Sequence, residues 1–437
     1  MFSGELLSID GPVRPWRHGL LAQELCARGH QVTRWAPTFV HALKTQRAER
    51  DTTRQISDRY AVELLYAPGY HRHIGLARLR FNHRIARAFS RRALGMESPD
   101  LILSGMPTPE LCAAVARFAG ARGIPFVIDV RDLWPDIYLE AVPAWLRPLG
   151  GVVLWPYARM NQSSFSQATG ITAISASYLH WGLEYAGRDP DWSDRVFYMG
   201  YPRLSVSPAE HTAAVARWVA RGVRPGHFIC CFFGSMNHQF DCETILSAAR
   251  RILQSTDDRV QFVLCGHAEP AVEAAIRAAG LPNVLMPGWV DAEDITVLMH
   301  MAQAGLAPYR SSPKISGTLH LGHYPITRIG GKATISNKCL EYLSGGLPVL
   351  TSLMGEFEQV VKEYDCGLTY ADGDVNGLLE ALDMLRRNPE RARTMGRNGS
   401  EVFASRFSAA RIYPEMANHL EELAARPVGR REAAGRG

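Results

Sequence analysis

The sequence predicts an α/β protein built as two doubly wound domains facing each other across a cleft. Three observations predict it. Apolar strand-like runs alternate with helical patterns almost from end to end, the signature of parallel sheets covered on both faces. The 437 residues exceed what one hydrophobic core normally organises. The alternation breaks once, near 200–226, where YPRLSVSP and GVRPGH enclose a helix.

The elements follow in order. The first-half strands are 32-VTRWA, 62-VELLYA, 101-LILS, 126-FVIDV, 171-ITAIS and 196-VFYMG, with helices at 17–29, 76–94, 109–122 and 176–187 and a mixed helical region from about 137 to 168. The second-half strands are 228-FICCFFG, 260-VQFVLCG, 283-NVLMPG, 304-AGLAPY, 348-PVLTS and 367-GLTYA. The domains are expected at 1–200 and 201–407. A helix at about 408–425 is expected to pack back on the first domain, and a basic, Gly-rich tail at 426–437 to be disordered. Only MFSGELLSI precedes Asp10, so either the opening strand is very short or the chain starts late.

Composition narrows the function classes. Hydrophobic residues make up 46% and charged residues 21%, a globular balance, and the net charge of +5 calls for no nucleic-acid partner. The eight cysteines never form C-x-x-C and sit in apolar runs, as reduced packing residues do. MFSGELLSID lacks the basic start and long apolar run of a signal peptide, so none is expected, and the most apolar window, 149-LGGVVLWPY-157, is too short to span a membrane. The fifteen histidines show no ligand spacing with acids, so no metal is expected.

Chemistry concentrates in a few stretches. In 336-SNKCLEYLSGGLPVL-350, Ser336 is a natural N-cap, and Asn337 and Lys338 fill a first turn. Free amides, a positive helix end and a lysine suit a diphosphate, and Glu341 one turn on can accept hydrogen bonds from two sugar hydroxyls. A plain i,i+3 surface pair of Lys338 and Glu341 explains the same residues. The stretch 234-GSMNHQFD-241 joins a strand to a helix through Gly234 and Ser235, either a phosphate-facing turn or an ordinary βα turn.

These motifs, with 264-LCGH, 287-PGWV and S-N-K-x-x-E-Y-L-x-x-G-L-P-V, resemble the nucleotide-sugar half of a GT-B glycosyltransferase of the retaining family 4. The first half is similar too: 18-HGLLAQELCARGHQVTRWAPTF matches the family's first helix and second strand, and 127-VIDVRDLWPD-136 matches the R-D-x-W-P segment of bacterial surface-polysaccharide members. The resemblance implies a GT-B fold of two Rossmann-like domains, the first binding the acceptor and the second the nucleotide sugar. It implies that Glu341 holds the ribose and Lys338 neutralises the diphosphate. It also implies that Ser336, Asn337, Gly234 and Ser235 present amides, and that Trp289, Val290, Gly266 and His267 surround the base. The first glutamate of the family's E-x7-E signature is replaced by Ala333. Lys314, His320, His323, Arg328 and Lys332 are the residues nearby that can substitute for it.

On the acceptor side, 129-DVRDLWPD-136 follows a strand. Asp132 can accept a proton or hold the acceptor, Arg131 can neutralise phosphate, and Asp136 lies beside them. Helix capping by either acid is the competing explanation. Arg14, Arg17 and His18 precede or open the first helix, either contacting phosphates or simply exposed. From Leu64 to Met96 there are seven arginines and no acid. Arg80, Arg84, Arg87 and Arg91 share one helix face beside a Phe81, Ile85 and Phe89 stripe, which reads as an anionic-membrane element or a solvated helix packed by its apolar side.

The resemblance therefore implies a metal-independent, retaining glycosyltransferase without a cofactor. It would use a nucleoside diphosphate sugar and a glycan or polyprenyl-linked acceptor in surface-polysaccharide or O-antigen lipopolysaccharide assembly, and work in the cytoplasm at the inner face of the cell membrane. A nucleotide-sugar epimerase of the same architecture and a non-catalytic partner subunit are the alternatives.

Overall fold

The structure is a computed structural model that describes residues 7, 9, 15–41, 43–71, 75–140, 144–237, 239–255, 259–310, 319–321, 324–326 and 335–426. The chain forms two compact units: unit 1 comprises 1–198, 315–329 and 412–437, and unit 2 comprises 199–314 and 330–411.

In unit 1, β1 (Val32–Pro37), β2 (Thr52–Ser57) and β3 (Tyr60–Leu65) form a three-stranded sheet in the order β1-β3-β2. β1 runs parallel to β3, and β2 antiparallel. β2 was not expected: TTRQIS is polar and mostly exposed, so it carries no apolar run to reveal it. A second sheet runs in parallel order through β4 (Ile102–Met106), β5 (Phe126–Val130), β6 (Gly170–Ala173) and β7 (Arg195–Val196). Every residue of β5 is buried, which is why it reads as a continuous apolar run around one aspartate. Leu7 is buried with Ala36, Val62 and Leu64; the rest of the expected opening strand lies outside the described residues.

The helices of unit 1 are α1 (Arg17–Ala27), α2 (Leu76–Ala93), α3 (Pro109–Arg122), α4 (Arg147–Ser166) and α5 (Ala176–Ala186). Phe81, Ile85 and Phe89 of α2 bury in the core, as a 3.6-residue stripe should. α4 continues through Pro156, and its later residues Ala158 and Phe165 join the same core. A hairpin of Leu319–Leu321 and Tyr324–Ile326, expected in the second domain, groups with unit 1 beside α4 and α5.

Unit 2 holds a six-stranded parallel sheet of β8 (Phe228–Phe233), β9 (Val260–Cys265), β10 (Val284–Gly288), β11 (Ala304–Ala307), β12 (Val349–Thr351) and β13 (Gly367–Thr369), in the order β10-β9-β8-β11-β12-β13. Between them run α6 (Pro208–Ala220), α7 (Cys242–Gln254), α8 (Pro270–Ala279), α9 (Ala292–Met301), α10 (Asn337–Ser344) and α11 (Glu356–Tyr364), followed by α12 (Val375–Arg387) and α13 (Pro389–Val402). The sequence-order reversal beside β8 puts the carboxyl ends of β8, β9 and β11 where doubly wound sheets bind ligands. α14 (Ala409–Ala425) begins in unit 2 and continues in unit 1, where Glu421 pairs with Arg28 and His30.

One buried phenol fixes α10 on this sheet. The Tyr342 hydroxyl donates to the Leu306 carbonyl at 2.9 Å and to the Cys231 carbonyl at 3.2 Å. A Cβ at Gly305 would sit 2.2 Å from its ring. Gly305→Ala is therefore expected to destabilise unit 2 by about 1–3 kcal/mol, read as a lower denaturant midpoint. All eight cysteines are unbonded, seven of them buried.

Candidate functional site

In unit 2 the carboxyl ends of β8 and β9 meet through two glycines. Gly234 has φ +124° and Gly266 φ +123°, and a Cβ at Gly266 would fall 2.1 Å from the Gly234 carbonyl oxygen. A Cβ at Gly234 would lie 2.6 Å from Lys338 Nζ, so the lysine occupies the space left by that absent side chain. Its ammonium sits over two rings, 4.3 Å from the Phe240 centroid and 5.1 Å from that of Phe232.

α10 supplies the lysine. Ser336 caps it, accepting from the Lys338 amide at 3.3 Å and bonding the half-buried Tyr309 hydroxyl. The first turn carries no acid. A cation at the positive end of a helix is unfavourable by itself and favours an arriving anion. Burial lowers the Lys338 pKa, and the half-buried Glu341 one turn on works against that. Gly234, Lys338 and Glu341, 107 residues apart at the extremes of numbering (341 − 234), thus share one corner of unit 2.

Of the amides expected to cradle a diphosphate, that of Gly234 is already engaged within the sheet. The Gly234 amide donates to the Cys265 carbonyl at 3.0 Å, and the Gly266 amide to the Gly288 carbonyl at 2.6 Å. The following helix, α7, is capped by Asp241, which accepts from Thr244 and from the Gly373 amide and lies 3.7 Å from Arg310. Asp241 thus occupies the start of α7 and already accepts from its Thr244 amide. Ser235 and His267 are exposed, Asn337 half-buried. Among the four residues expected around a base, Trp289 offers a ring 64% exposed while Val290 is buried. Ala333, Lys314, His323, Arg328 and Lys332 lie outside the described residues, and the side chain of His320 is likewise not described.

In unit 1 the strand-end acids separate into distinct environments. Asp129, on β5, is fully buried and accepts two hydrogen bonds from Arg17 at 2.8 Å, one from Thr172 at 2.8 Å and one from His18 Nε2 at 3.0 Å. Burial alone would raise its pKa; the charge of Arg17 and the hydrogen bonds from His18 and Arg17 outweigh this and hold it well below 3.8. Arg17 also donates to the carbonyls of Phe197 and Tyr198. Arg131 Nη1 stands 3.3 Å from His18 Nδ1, so that nitrogen accepts and the proton sits on Nε2, facing Asp129.

Arg17 and His18 are thus corrected from ligand-facing edge residues to a buried network, because α1 drops its first turn directly onto the Asp129 carboxylate. Arg14 lies outside the described residues. Asp136 is corrected similarly. It is buried, its two oxygens accepting from Trp181 Nε1 at 2.7 Å and from the Tyr185 hydroxyl at 2.9 Å, and burial pushes its pKa up to about 7. Its carboxylate ties the 131–136 turn to α5.

Asp132 keeps a different company. Half-buried, it accepts from the Leu133 amide at 2.9 Å; burial raises its pKa, while Arg78 and Arg131 pull it down. Arg78 lies 4.3 Å from the Trp134 ring centroid and 5.7 Å from that of Tyr70. Arg78, Asp132, Glu110 and Tyr70 all act on the half-buried Tyr138 hydroxyl, whose pKa burial raises. Glu110 is buried, accepts weakly from Asn82 at 3.4 Å, and its Oε2 has no hydrogen-bond partner among the described residues. Sequence reasoning missed this cluster. Arg78 reads there only as one of a run of seven arginines, and Glu110 carries no motif. The signal was positional, since Tyr70, Arg78, Glu110 and Asp132 all follow the carboxyl ends of β3, β4 or β5.

Among the described residues, no group of three or more His, Cys, Asp or Glu side chains is placed to hold a metal ion. Arg80, Arg84, Arg87 and Arg91 are exposed along α2, as the sequence predicts.

Comparison with known proteins agrees with this geometry. Residues 16–191 match the family model described as a glycosyl transferase 4-like domain, and residues 227–388 match that of glycosyl transferases group 1. The D-rhamnosyltransferase WbpZ of Pseudomonas aeruginosa is 25% identical over 211 residues, 48% of this chain and 47% of that protein, so the alignment spans about half of each. Sucrose-phosphate synthase from Thermosynechococcus elongatus superposes with a TM-score of 0.68 at 17% identity, covering 92% of this chain and 91% of that one. WaaG, a glycosyltransferase involved in lipopolysaccharide biosynthesis, gives 0.61 at 15%, covering 92% and 94%. Anabaena HepE in complex with UDP-glucose gives 0.56 at 16%, covering 83% and 86%. With both halves matched, the two wound sheets in place and a lysine-glycine corner at the strand ends of the second, the chain belongs to the group 1 and family 4-like glycosyl transferases and is an enzyme of the GT-B fold.

Proposed function

We propose that unit 2 binds a nucleoside diphosphate sugar at Lys338 and Glu341, and that the sugar is transferred with retention to a glycan or polyprenyl-linked acceptor bound by unit 1, in the assembly of a bacterial surface polysaccharide. The observation that carries the donor assignment is the Lys338 ammonium, held over Phe232 and Phe240 in the space Gly234 leaves open. In such a transfer the bond between the anomeric carbon and the diphosphate breaks, and the leaving diphosphate gains negative charge. A preformed cation at a helix start stabilises that charge more in the transition state than in the ground state. In this reading Lys338 supplies the charge a metal would otherwise bring, and no cofactor takes part. Glu341 accepts from the ribose hydroxyls, and the exposed Trp289 ring offers the base a face to stack on.

On the acceptor side, Asp132 with Arg131 and Arg78 forms the polar opening, and Glu110 and Tyr138 extend it. The likeness to a D-rhamnosyltransferase, and to WaaG with its involvement in lipopolysaccharide biosynthesis, supports an acceptor of the surface-glycan class. HepE's complex with UDP-glucose supports a nucleotide-sugar donor.

Glu341→Ala is expected to weaken nucleoside diphosphate binding by about tenfold or more, because two ribose hydroxyls lose their acceptor. Calorimetric titration checks it, and unchanged affinity removes the ribose role. Release of nucleoside diphosphate that depends on added acceptor is the expected activity. A glycal or free sugar formed without acceptor would support an epimerase instead.

A further inference from the structure

One surface of unit 1 exposes a run of large apolar side chains. Trp145, Leu149, Val152, Val153 and Trp155 are 79, 63, 59, 68 and 45% exposed. They fall within the first half of α4 and the turn before it, while the second half of the same helix packs into the core. Leu149, Val152, Val153 and Pro156 follow helical i, i+3, i+4, i+7 spacing, so they form one stripe. Isolated exposed apolar residues are ordinary; two tryptophans and three aliphatics together are not.

The surroundings say what covers the stripe. α3 packs against both α4 and α2, and its residues Pro109–Ala116 are all buried, so the exposed faces here belong to α2 and α4. α2 turns Arg80, Arg84, Arg87 and Arg91 outward, and exposed leucines stand at its ends: Leu76 is 70% and Leu94 68% exposed. Arg159 caps the stripe, 5.1 Å from the Trp155 ring. The two faces thus combine aliphatic side chains, amphipathic indoles and arginines without an acid between Leu64 and Met96.

We infer that this surface docks on an anionic lipid bilayer, with the α4 stripe inserted among the acyl chains at the interface and the α2 arginines on the headgroups. Indole rings and arginines favour that boundary, where one end is apolar and the other wet. A second copy of the chain fits less well: a two-fold contact through this surface would set uncompensated arginines against the same surface. The docking is monotopic, since no helix among the described residues is long and apolar enough to cross a membrane. It moves the apolar anchor from α2, whose Phe81, Ile85 and Phe89 are buried, to α4. The inference rests on unit 1 alone and does not require the donor assignment.

The test sediments the full chain with phosphatidylcholine vesicles, with and without phosphatidylglycerol. The wild type should bind, more strongly when phosphatidylglycerol is present. The variant Val152→Ser, Val153→Ser, Trp155→Ser should partition about tenfold less or weaker at low and high salt alike. The variant Arg80→Gln, Arg84→Gln, Arg87→Gln, Arg91→Gln should lose the preference for phosphatidylglycerol and its salt dependence. Brominated lipid should quench wild-type tryptophan fluorescence, and Trp145→Phe with Trp155→Phe should abolish that quenching, a readout that needs no serine variant to fold. Equal partitioning of the α4 variant, absence of quenching, or a wild-type dimer that the α4 variant converts to monomers would overturn the inference. Thermal shifts with nucleoside diphosphates, measured on the same α4 variant, keep this outcome separate from the donor reading.

Discussion

Asp129→Asn is expected to destabilise unit 1 by about 3–5 kcal/mol, a large fraction of a domain's net stability. The side chain neutralises a guanidinium that is fully buried, and its two oxygens receive four hydrogen bonds from Arg17, His18 and Thr172. An asparagine keeps the shape but removes the charge and presents a donor toward other donors. Arg17 would then be a buried cation without its carboxylate. Adding Arg17→Met to Asp129→Asn is expected to recover part of the loss, because the unpaired charge is what costs most. Urea unfolding of the three proteins measures this; equal stability of wild type and Asp129→Asn would mean that the network is dispensable.

The same residue sets an acid limit. Its folded pKa lies far below 3.8, whereas the unfolded chain has an ordinary carboxyl. Between these values the unfolded state binds more protons, so stability rises with pH there. The contribution is complete above about pH 5 and is lost progressively on acidification below about pH 4. Asp129→Asn should flatten that part of the pH profile as well as lower it.

Lys338→Ala has the second large expected effect, on function instead of folding. Removing the ammonium takes away a charge-assisted partner of the diphosphate, about 2–3 kcal/mol or a 30- to 150-fold loss of affinity. Since burial lowers the lysine's pKa, wild-type affinity should begin to fall at a pH below the ordinary 10.5, as the amine loses its proton. The variant should show no such alkaline fall. A matching decline in both proteins would place the titrating group elsewhere.

How much of this was legible in the sequence varies with the physics behind each part. The wound sheets were legible because parallel strands buried on both faces read as continuous apolar runs; FICCFF and VQFVLC define β8 and β9 within a residue. β2 escaped because an antiparallel edge strand with solvent on most positions has no such run. The cap at Ser336 and the first-turn lysine are local features, readable from spacing. What Lys338 touches is not, since Phe232, Gly234 and Phe240 come from elements about 100 residues earlier in sequence. Arg17, His18 and Asp136 look like surface groups in the bare sequence, because charge alone does not say whether a partner is waiting. Asp129 supplies that partner to Arg17 and His18 from near the end of a buried strand. The apolar window at 149–157 reads in sequence only as too short for a span, and its exposure depends on which half of α4 faces the core.

The central claim is a nucleoside diphosphate site in unit 2 built around Lys338 and Glu341. The most direct measurement is the thermal stability of the wild type and of the Lys338→Ala, Glu341→Ala double variant across a panel of nucleoside diphosphates. At a hundredfold excess over Kd, one member should stabilise the wild type by about 2.7 kcal/mol, and the shift should vanish in the double variant. No shift with any member, or an equal shift in both proteins, would contradict the account.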